Sequence, residues 1–189
     1  MDPNPTSLRE QKTALRRAIR EQLASMNDRG PRSERLCAAV AGSEEWARSA
    51  CIGMFAPLSH EPDLELLWPC AAGKTLVFPA IRGEALEFIA APDAASLVVG
   101  AKGIREAHGD TVPLEQIDLM LVPGAAFSAK GERLGRGGGF YDRLLAARGF
   151  RAWTIGVCFD RQLVAGLPVE PHDRGVDAVA TESGIQRVR

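Results

Sequence analysis

Short apolar runs alternate with helix-forming segments along this 189-residue chain, and the alternation limits the folds that it can adopt. Short apolar runs bounded by turn residues are typical of buried strands. The predicted strands cover 51–56, 75–78, 85–90, 118–123, 153–157 and 176–180, and the predicted helices among them cover 63–72, 140–148 and 161–165. Strands that alternate with helices favour a mainly parallel α/β sheet with helices on both faces, which binds ligands at the carboxyl ends of its strands.

Two helices are predicted ahead of the first strand. The first covers 6–27 and opens with the capping-box pattern Ser7-x-x-Glu10, in which each residue hydrogen-bonds the backbone of the other. It has one apolar face and one basic face, so we expect this amphipathic helix to pack on the α/β core. The second helix begins near Pro31. The stretch 91–117 has no regular pattern and is either a long functional loop or a strand pair.

Composition excludes several classes of protein. Lys plus Arg total 23 and Asp plus Glu total 24, and the resulting net charge of −1 excludes a generally basic nucleic-acid binder. No apolar stretch approaches the roughly 18 residues of a membrane span, and the polar segment Met1–Thr6 has no signal-peptide core. The four cysteines form no C-x-x-C pair, so neither a zinc site nor a disulfide framework is predicted. We expect one cytoplasmic domain over 1–189, and nothing in the sequence demands more than a monomer.

The glycine-rich run 133–143 is the strongest chemical signal in the sequence. It places four glycines in five positions between a strand region and a helix. Glycine lets the backbone approach a ligand closely, and the free N–H groups of the following helix favour an anion. Arg133 and Arg136 add positive charge, and Asp142 could hold a magnesium ion bound to phosphates. Taken alone, the run is equally consistent with a flexible turn in which Asp142 complements the helix dipole.

Several motifs follow one another from residue 12 to residue 181, over nearly the whole chain. The most specific are Asp118-x-x-x-Val122-Pro123-Gly124-Ala125-Ala126-Phe127 and Gly131-x-Arg133-Leu134-Gly135-x-Gly137-x-Gly139-Phe140-Tyr141-Asp142-Arg143. Weaker ones are Lys12-x-x-x-Arg16, Phe55-x-x-x-Ser59-x-Glu61, Gln162-Leu163 and Leu167-Pro168-x-Glu170-x-His172-Asp173. Taken in this order, the motifs resemble those of the 5-formyltetrahydrofolate cyclo-ligase family, whose members are also called 5,10-methenyltetrahydrofolate synthetases.

The resemblance implies a fold and a reaction. The fold would be the three-layer, Rossmann-like α/β architecture of NagB/RpiA/CoA transferase-like proteins. The reaction would be the cyclisation of 5-formyltetrahydrofolate to 5,10-methenyltetrahydrofolate, with ATP and Mg²⁺ as cofactors and with release of ADP and phosphate. The folate substrate could carry a polyglutamate tail.

The resemblance also implies a set of site residues. The implied ATP-binding residues are Lys12, Arg16, Arg133, Leu134, Gly135, Arg136, Gly137, Gly138, Gly139, Phe140 and Tyr141. The implied folate contacts are Phe55, Glu61, Gly137, Gly138 and Tyr141, and the implied magnesium ligands are Asp142 and Asp173. Arg133, Arg136 and Tyr141 are the candidate catalytic residues.

The chemistry of these residues agrees with such roles. Lys12 and Arg16 are one helical turn apart, so a lysine point charge and an arginine fork project together, as a polyphosphate requires. Glu61 follows a strand end, where a carboxylate can accept hydrogen bonds from the amide and amino groups of a pterin. Without the resemblance, a solvated basic helix face, an exposed loop glutamate and, for Asp173, a turn residue would be the favoured interpretations.

One segment departs from the family pattern. Many members have G-I-P-E-P where this chain has Gly103-Ile104-Arg105-Glu106-Ala107, so both prolines are missing. The departure concerns the folate side of the site and leaves the phosphate side unchanged. Two alternatives therefore stay open, namely a non-catalytic folate- or nucleotide-binding module and an enzyme that acts on a sugar phosphate. The second alternative would need the glycine run but neither Lys12 nor Glu61.

Overall fold

The helices of the chain lie mainly before the first strand. A computed structural model describes residues 7–100 and 103–188, so the predicted helix start at residue 6 and the segment Met1–Thr6 lie outside the described residues. The α-helices are α1 (Leu8–Ala24), α2 (Arg29–Ala41), α3 (Glu44–Arg48) and α4 (Phe140–Leu145). The predicted capping box is confirmed: Ser7 Oγ accepts from the Glu10 amide, and Glu10 accepts from the Ser7 amide. None of the described helices is both long and apolar enough to cross a membrane.

Within residues 7–100 and 103–188, thirteen strands form one large and two small sheets. In chain order they are β1 (Cys51–Gly53), β2 (Thr75–Arg82), β3 (Ala85–Ala90), β4 (Val98–Val99), β5 (Arg105–Glu106), β6 (Thr111–Val112), β7 (Leu119–Pro123), β8 (Ala126–Ser128), β9 (Arg133–Leu134), β10 (Trp153–Val157), β11 (Leu163–Val164), β12 (Ala178–Thr181) and β13 (Gly184–Arg187). The large sheet has eight strands in the order β13-β12-β10-β7-β1-β2-β3-β6. The small sheets are β11-β8-β9 and β4-β5.

The large sheet is mixed, which corrects the prediction of a mainly parallel sheet. The five central strands, from β12 to β2, run parallel to one another. The outer strands β13, β3 and β6 pair antiparallel, because each follows its neighbour through a hairpin or returns along the sheet edge. The irregular stretch 91–117 supplies β4, β5 and β6. These strands have two residues each, which is too short for an alternating pattern to be visible in the sequence.

Helices cover both faces of the large sheet, as predicted. Alternate residues of β7 point to opposite faces: Leu119 lies in the same apolar cluster as Leu36 of α2, and Met120 in the same cluster as Leu144 of α4. Helix α1 packs through Ile19 against the smaller sheet around β8 and β9. The clusters that contain Leu144 and Ile19 thus fix α4 and α1 next to the glycine-rich run.

Strand β2 continues through Pro79, so the prediction that it ends at Phe78 is wrong. The Val77 carbonyl of this strand accepts a hydrogen bond from the amide of Met54, the residue after β1. The backbone nitrogen of Pro79, two residues further on, faces the same side of the strand. Strand β1 has already ended at Gly53, opposite Val77. The missing N–H of Pro79 therefore leaves no partner of β1 unpaired, and the strand extends along β3 to Arg82.

The other predicted elements differ mostly at their ends. The predicted helix 63–72 is a 3-10 helix over Leu64–Cys70, and 161–165 contains only the end of a 3-10 turn, Asp160–Gln162, followed by β11. The predicted helix 140–148 ends at Leu145. The strands predicted over 51–56 and 176–180 are shorter or shifted, and the hairpin partner β13 was not predicted.

The ring of Phe127 fills the space beside two glycines at the carboxyl ends of β7 and β10. A Cβ placed on Gly156 would lie 2.4 Å from Phe127 Cε1, and one placed on Gly124 would lie 2.6 Å from Phe127 Cε2. Phe127 is fully buried. Both glycines are therefore needed for close packing rather than for an unusual backbone conformation.

Replacement of Gly156 by alanine is expected to lower the free energy of unfolding by about 1–3 kcal/mol, because the added methyl group overpacks Phe127. Urea unfolding followed by circular dichroism measures this change. Gly166→Ala is the control, since nothing lies within 4 Å of a Cβ at that glycine. The double variant with Phe127→Leu should recover part of the loss, and equal losses in the single and double variants would contradict this account of the packing.

Candidate functional site

The glycine-rich run connects β9 to α4 and forms a wall shared by two cavities. Gly137 and Gly139 have φ angles of 103° and 67°, which side chains other than glycine rarely adopt. Gly139 is the N-cap residue of α4, so the run turns sharply into the helix. Gly135, Gly139 and Asp142 line both cavities. The run thus places the same backbone between two different chemical environments.

The first cavity is an apolar cleft beyond the carboxyl ends of β1 and β7. Its wall contains Phe55, which was predicted to contact folate and is buried. Phe140 and Gly138 of the run also line this cleft. An aromatic and aliphatic cleft with a few polar groups is suited to a flat heterocycle.

Tyr141 brings a polar group into the apolar cleft. Its hydroxyl is fully buried and has no hydrogen-bond partner among residues 7–100 and 103–188. Burial raises the pKa of Tyr141, so the phenol is neutral at physiological pH and can donate a hydrogen bond. The Arg133 guanidinium carbon lies 5.8 Å from the centre of the Tyr141 ring. Such an unpaired buried hydroxyl is available to a ligand in the cleft.

Glu61 is buried in the wall of the cleft and is not an exposed loop residue. Its side chain accepts a hydrogen bond from the Leu58 amide at 2.8 Å and forms an ion pair with Arg136. Burial raises the pKa of Glu61, and the Arg136 charge opposes that effect. The Nη2 atom of Arg136 also lies 3.2 Å from His60 Nε2. The ion pair of Arg136 with Glu61 joins the glycine run to the loop after β1. Sequence spacing did not reveal the pair, because the two residues are 75 positions apart.

The second cavity is polar and brings together residues from both ends of the chain. Lys12 Nζ lies 2.6 Å from both Glu170 Oε2 and Asp173 Oδ2. Burial alone would lower the pKa of Lys12, but the hydrogen bonds to the two carboxylates outweigh it and raise that pKa. Arg16 Nε donates to the Gly135 carbonyl at 2.8 Å. Lys12 and Arg16 therefore line one cavity together with glycines of the run, and Lys12 is buried rather than part of a solvated basic face.

Asp142 is tied to a buried arginine as α4 begins. Arg133 Nη2 donates to Asp142 Oδ1 at 2.6 Å, and the Arg174 amide donates to the same oxygen at 3.3 Å. The Arg133 side chain is only 3% exposed, and its Nε atom is buried without a hydrogen-bond partner in the described part of the chain. Asp142 thus has a specific partner beyond the helix dipole.

The two predicted magnesium ligands line the same polar cavity. Asp142 and Asp173 both contribute carboxylate oxygens, the donors that magnesium prefers. The ligand atoms of Glu170, His172 and Asp173 lie within 4.8 Å of one another. The Lys12 charge lowers the pKa of Asp173 against the effect of burial, so this carboxylate is ionised and able to bind a cation. The residues present therefore fit a divalent cation beside the glycine run.

Leu134, an implied ATP-binding residue, lines the polar cavity, but its side chain is largely buried. It is 2% exposed and packs in the cluster that contains Ile19 and Phe159. Its carbonyl accepts a hydrogen bond from the Ala125 amide at 2.7 Å. We conclude that this side chain helps to anchor α1 to the core.

Comparisons with known proteins agree on one family. Residues 8–182 match the model of the 5-formyltetrahydrofolate cyclo-ligase family. The 5-formyltetrahydrofolate cyclo-ligase of Escherichia coli K12 is 36% identical over 135 residues, which cover 68% of this chain and 73% of the relative. The mouse enzyme of the same name is 25% identical over 189 residues, covering 90% of this chain and 93% of the relative.

Solved structures give the same result. The NMR structure of Aquifex aeolicus 5,10-methenyltetrahydrofolate synthetase superimposes with a TM-score of 0.84 at 32% sequence identity, covering 94% of this chain and 93% of that chain. The Mycoplasma pneumoniae 5,10-methenyltetrahydrofolate synthetase, at 20% identity and a TM-score of 0.72, shares the fold. The match of the family model over most of the sequence, together with these relatives, shows that the chain is an enzyme that belongs to the 5-formyltetrahydrofolate cyclo-ligase family.

Proposed function

We propose that this chain catalyses the ATP- and magnesium-dependent cyclisation of 5-formyltetrahydrofolate to 5,10-methenyltetrahydrofolate, with release of ADP and phosphate. The observation that carries the proposal is the glycine run as a common wall of an apolar cleft and a polar cavity. A phosphoryl group must pass from a polyanion to a heterocycle, and this wall is where the two meet.

The chemistry requires positioning and charge neutralisation more than a protein nucleophile. The formyl oxygen attacks the γ-phosphorus of ATP, the bond to the β-phosphate oxygen breaks, and ADP leaves. N10 then attacks the formyl carbon and loses its proton, and the carbon–oxygen bond breaks to release phosphate. Backbone N–H groups, arginines and a metal-bound polyphosphate lower the barriers of such steps.

The polar cavity is the proposed ATP side. Lys12, Arg16 and the backbone of Gly135, Gly137 and Gly139 line this cavity and neutralise phosphate oxygens. Arg133 or Arg136, which line the apolar cleft on the other side of the shared wall, adds positive charge at the transferring phosphoryl group. Asp142 and Asp173 would hold the magnesium ion, which when bound neutralises phosphate charge. Since Lys12 is paired with Asp173 and Glu170, binding of the polyphosphate requires this ammonium group to exchange or share its partners.

The apolar cleft is the proposed folate side. Glu61 accepts hydrogen bonds from the pterin, the Tyr141 hydroxyl supplies a donor, and Phe55 packs against the ring system. Gly137 and Gly138 let the formyl group approach the run closely. A polyglutamate tail would extend out of this cleft.

We further assign the fold to the three-layer, NagB/RpiA/CoA transferase-like class. We also propose that residues 1–189 form a single cytoplasmic domain that acts as a monomer.

The direct test is to mix the purified protein with 5-formyltetrahydrofolate, Mg²⁺ and ATP and to follow the near-ultraviolet absorbance of the methenyl product. A rise that depends on all three components supports the proposed reaction. If ATP binding is seen by calorimetry but no absorbance rise follows, the reaction is wrong, and a non-catalytic binding module or a sugar-phosphate enzyme takes its place.

Substitution of Lys12 separates the proposed reaction from the sugar-phosphate alternative. Lys12→Gln removes the ammonium charge from the polar cavity, and the KM for ATP is expected to rise by about 10-fold or more. Steady-state kinetics at varied ATP measure this effect. Arg17→Gln is the control, because Arg17 lies on the exposed face of α1 and pairs only with Glu21 among the described residues. An unchanged KM in Lys12→Gln would favour an enzyme that does not use this end of the cavity.

Substitution of Asp142 tests the proposed metal ligand. Asp142→Asn keeps the shape of the side chain but removes its charge from the proposed metal and from Arg133, and kcat is expected to fall about 100-fold or more. The loss of a metal ligand also predicts that a higher Mg²⁺ concentration is needed for half-maximal activity, which the loss of the Arg133 pair alone does not. The same change in Asp110, which is exposed, serves as the control. Circular dichroism should remain that of the wild type in both variants. Normal turnover of Asp142→Asn would remove this residue from the mechanism.

Substitution of Arg136 decides whether this residue serves Glu61 or the transferring phosphoryl group. Arg136→Met leaves the buried Glu61 carboxylate without its cation, so the KM for 5-formyltetrahydrofolate should rise about 10-fold with a smaller change in kcat. Arg35→Met, at an exposed position of α2, is the matched control. A fall in kcat with an unchanged KM for the folate would instead assign Arg136 to phosphoryl transfer.

A further inference from the structure

Glu106 is a buried carboxylate of the apolar cleft to which the proposed reaction gives no role, although it matches the glutamate of the G-I-P-E-P pattern. It lines the cleft and is 7% exposed. The nearest cation to it in the described part of the chain is Arg82, whose Nη1 atom lies 4.0 Å from Glu106 Oε2 and whose side chain is half exposed. No hydrogen bond reaches the Glu106 carboxylate from residues 7–100 or 103–188.

The hairpin of β4 and β5 directs this side chain into the cleft. Glu106 pairs with Val98 across the hairpin, and Ile104, two residues earlier, lines the same cleft. Arg105, between them, points the other way and pairs with Glu65. A Cβ on Gly100 would lie 2.7 Å from Glu106 Cδ, so the glycine backbone packs directly against the carboxylate. The fold therefore holds Glu106 in position.

The other carboxylates of the cleft are neutralised by close arginines. Glu61 pairs with Arg136, and Asp142 pairs with Arg133 at 2.6 Å. Among the described residues, Glu106 has only the weaker interaction with Arg82, so within that part of the chain its negative charge is the least compensated in the cleft. A buried carboxylate without a close partner is unfavourable in the free protein, and a positively charged ligand relieves that cost.

We propose that Glu106 is a specificity-determining residue that recognises the positive charge formed during cyclisation. This inference rests on the proposed function. 5-Formyltetrahydrofolate is neutral at N5 and N10, whereas 5,10-methenyltetrahydrofolate carries a positive charge shared by those nitrogens and the bridging carbon. A fixed carboxylate in a poorly solvated cleft stabilises that charge as it forms, and it binds the cation more tightly than the neutral substrate.

The test compares the binding of two folates in the absence of ATP, so no turnover occurs. Equilibrium dialysis, with each folate quantified by its absorbance, gives the Kd of 5-formyltetrahydrofolate and of freshly prepared 5,10-methenyltetrahydrofolate. In Glu106→Gln the Kd of the cation should rise about 10-fold or more, while the Kd of the neutral folate changes by less than about 3-fold. Glu87→Gln, at an exposed position of β3, should change neither value.

Two results would overturn the proposal. Equal weakening of both folates by Glu106→Gln would assign the residue to ordinary contacts with the pterin, and no change in either would remove it from binding. Glu106→Asp is the second variant: it keeps the charge and should retain most of the preference for the cation, which a role in filling the cleft does not predict. Failure of the wild-type protein to bind either folate would instead reject the proposed function itself, and this inference with it.

Discussion

The buried guanidinium group of Arg133 is the interaction on which the geometry of the site depends. It donates to Asp142 on α4 and to the Pro123 carbonyl at the end of β7, and it lies against the ring of Tyr141. A buried cation is stable only when such partners compensate its lost hydration. Because these partners come from the central sheet and from α4, and Arg133 itself belongs to β9, one charge fixes the position of these three elements relative to each other.

Each cation that the sequence singled out for an anionic ligand already has a protein partner. Lys12 holds Asp173 and Glu170, Arg136 holds Glu61, and Arg16 holds a carbonyl of the glycine run. The site is therefore held in shape before any ligand binds, so less ordering is required at the moment of binding. In the proposed reaction an arriving phosphate would compete with the carboxylates of these pairs, and their release would make them available to a cation.

Much of the fold could be predicted from periodicity, and the rest depended on contacts between distant segments. The capping box of Ser7 and Glu10, the helical pattern of α1 and the apolar runs of β7 and β10 are local signals, and they indicated the correct elements. The continuation of β2 through Pro79 depended on where β1 ends, which no local pattern contains. Strands of two residues, such as β4 and β5, carry too few positions to show a period.

The candidate site divided in the same way. The glycine run, Lys12 and Asp173 could be selected by residue type and order, and the fold brings them to one cavity. The Arg136–Glu61 pair joins residues 75 positions apart. Glu106 matches the glutamate of the G-I-P-E-P pattern, but it was not selected, because a glutamate in a loop is ordinarily exposed. Charge pairing across a cleft is a property of the tertiary structure, so spacing along the chain could not predict it.

The departure from the family pattern at 103–107 does not remove the wall of the cleft. At the position where many members have proline, Arg105 pairs with Val99 in the hairpin and forms an ion pair with Glu65 of the 3-10 helix. Proline restricts the backbone through its ring, whereas here a strand pairing and an ion pair restrict it through tertiary contacts. With Arg105 anchored outward, Ile104 and Glu106 face the cleft. The structure therefore keeps this wall by a different physical means, and the missing prolines do not by themselves favour a non-catalytic binding module.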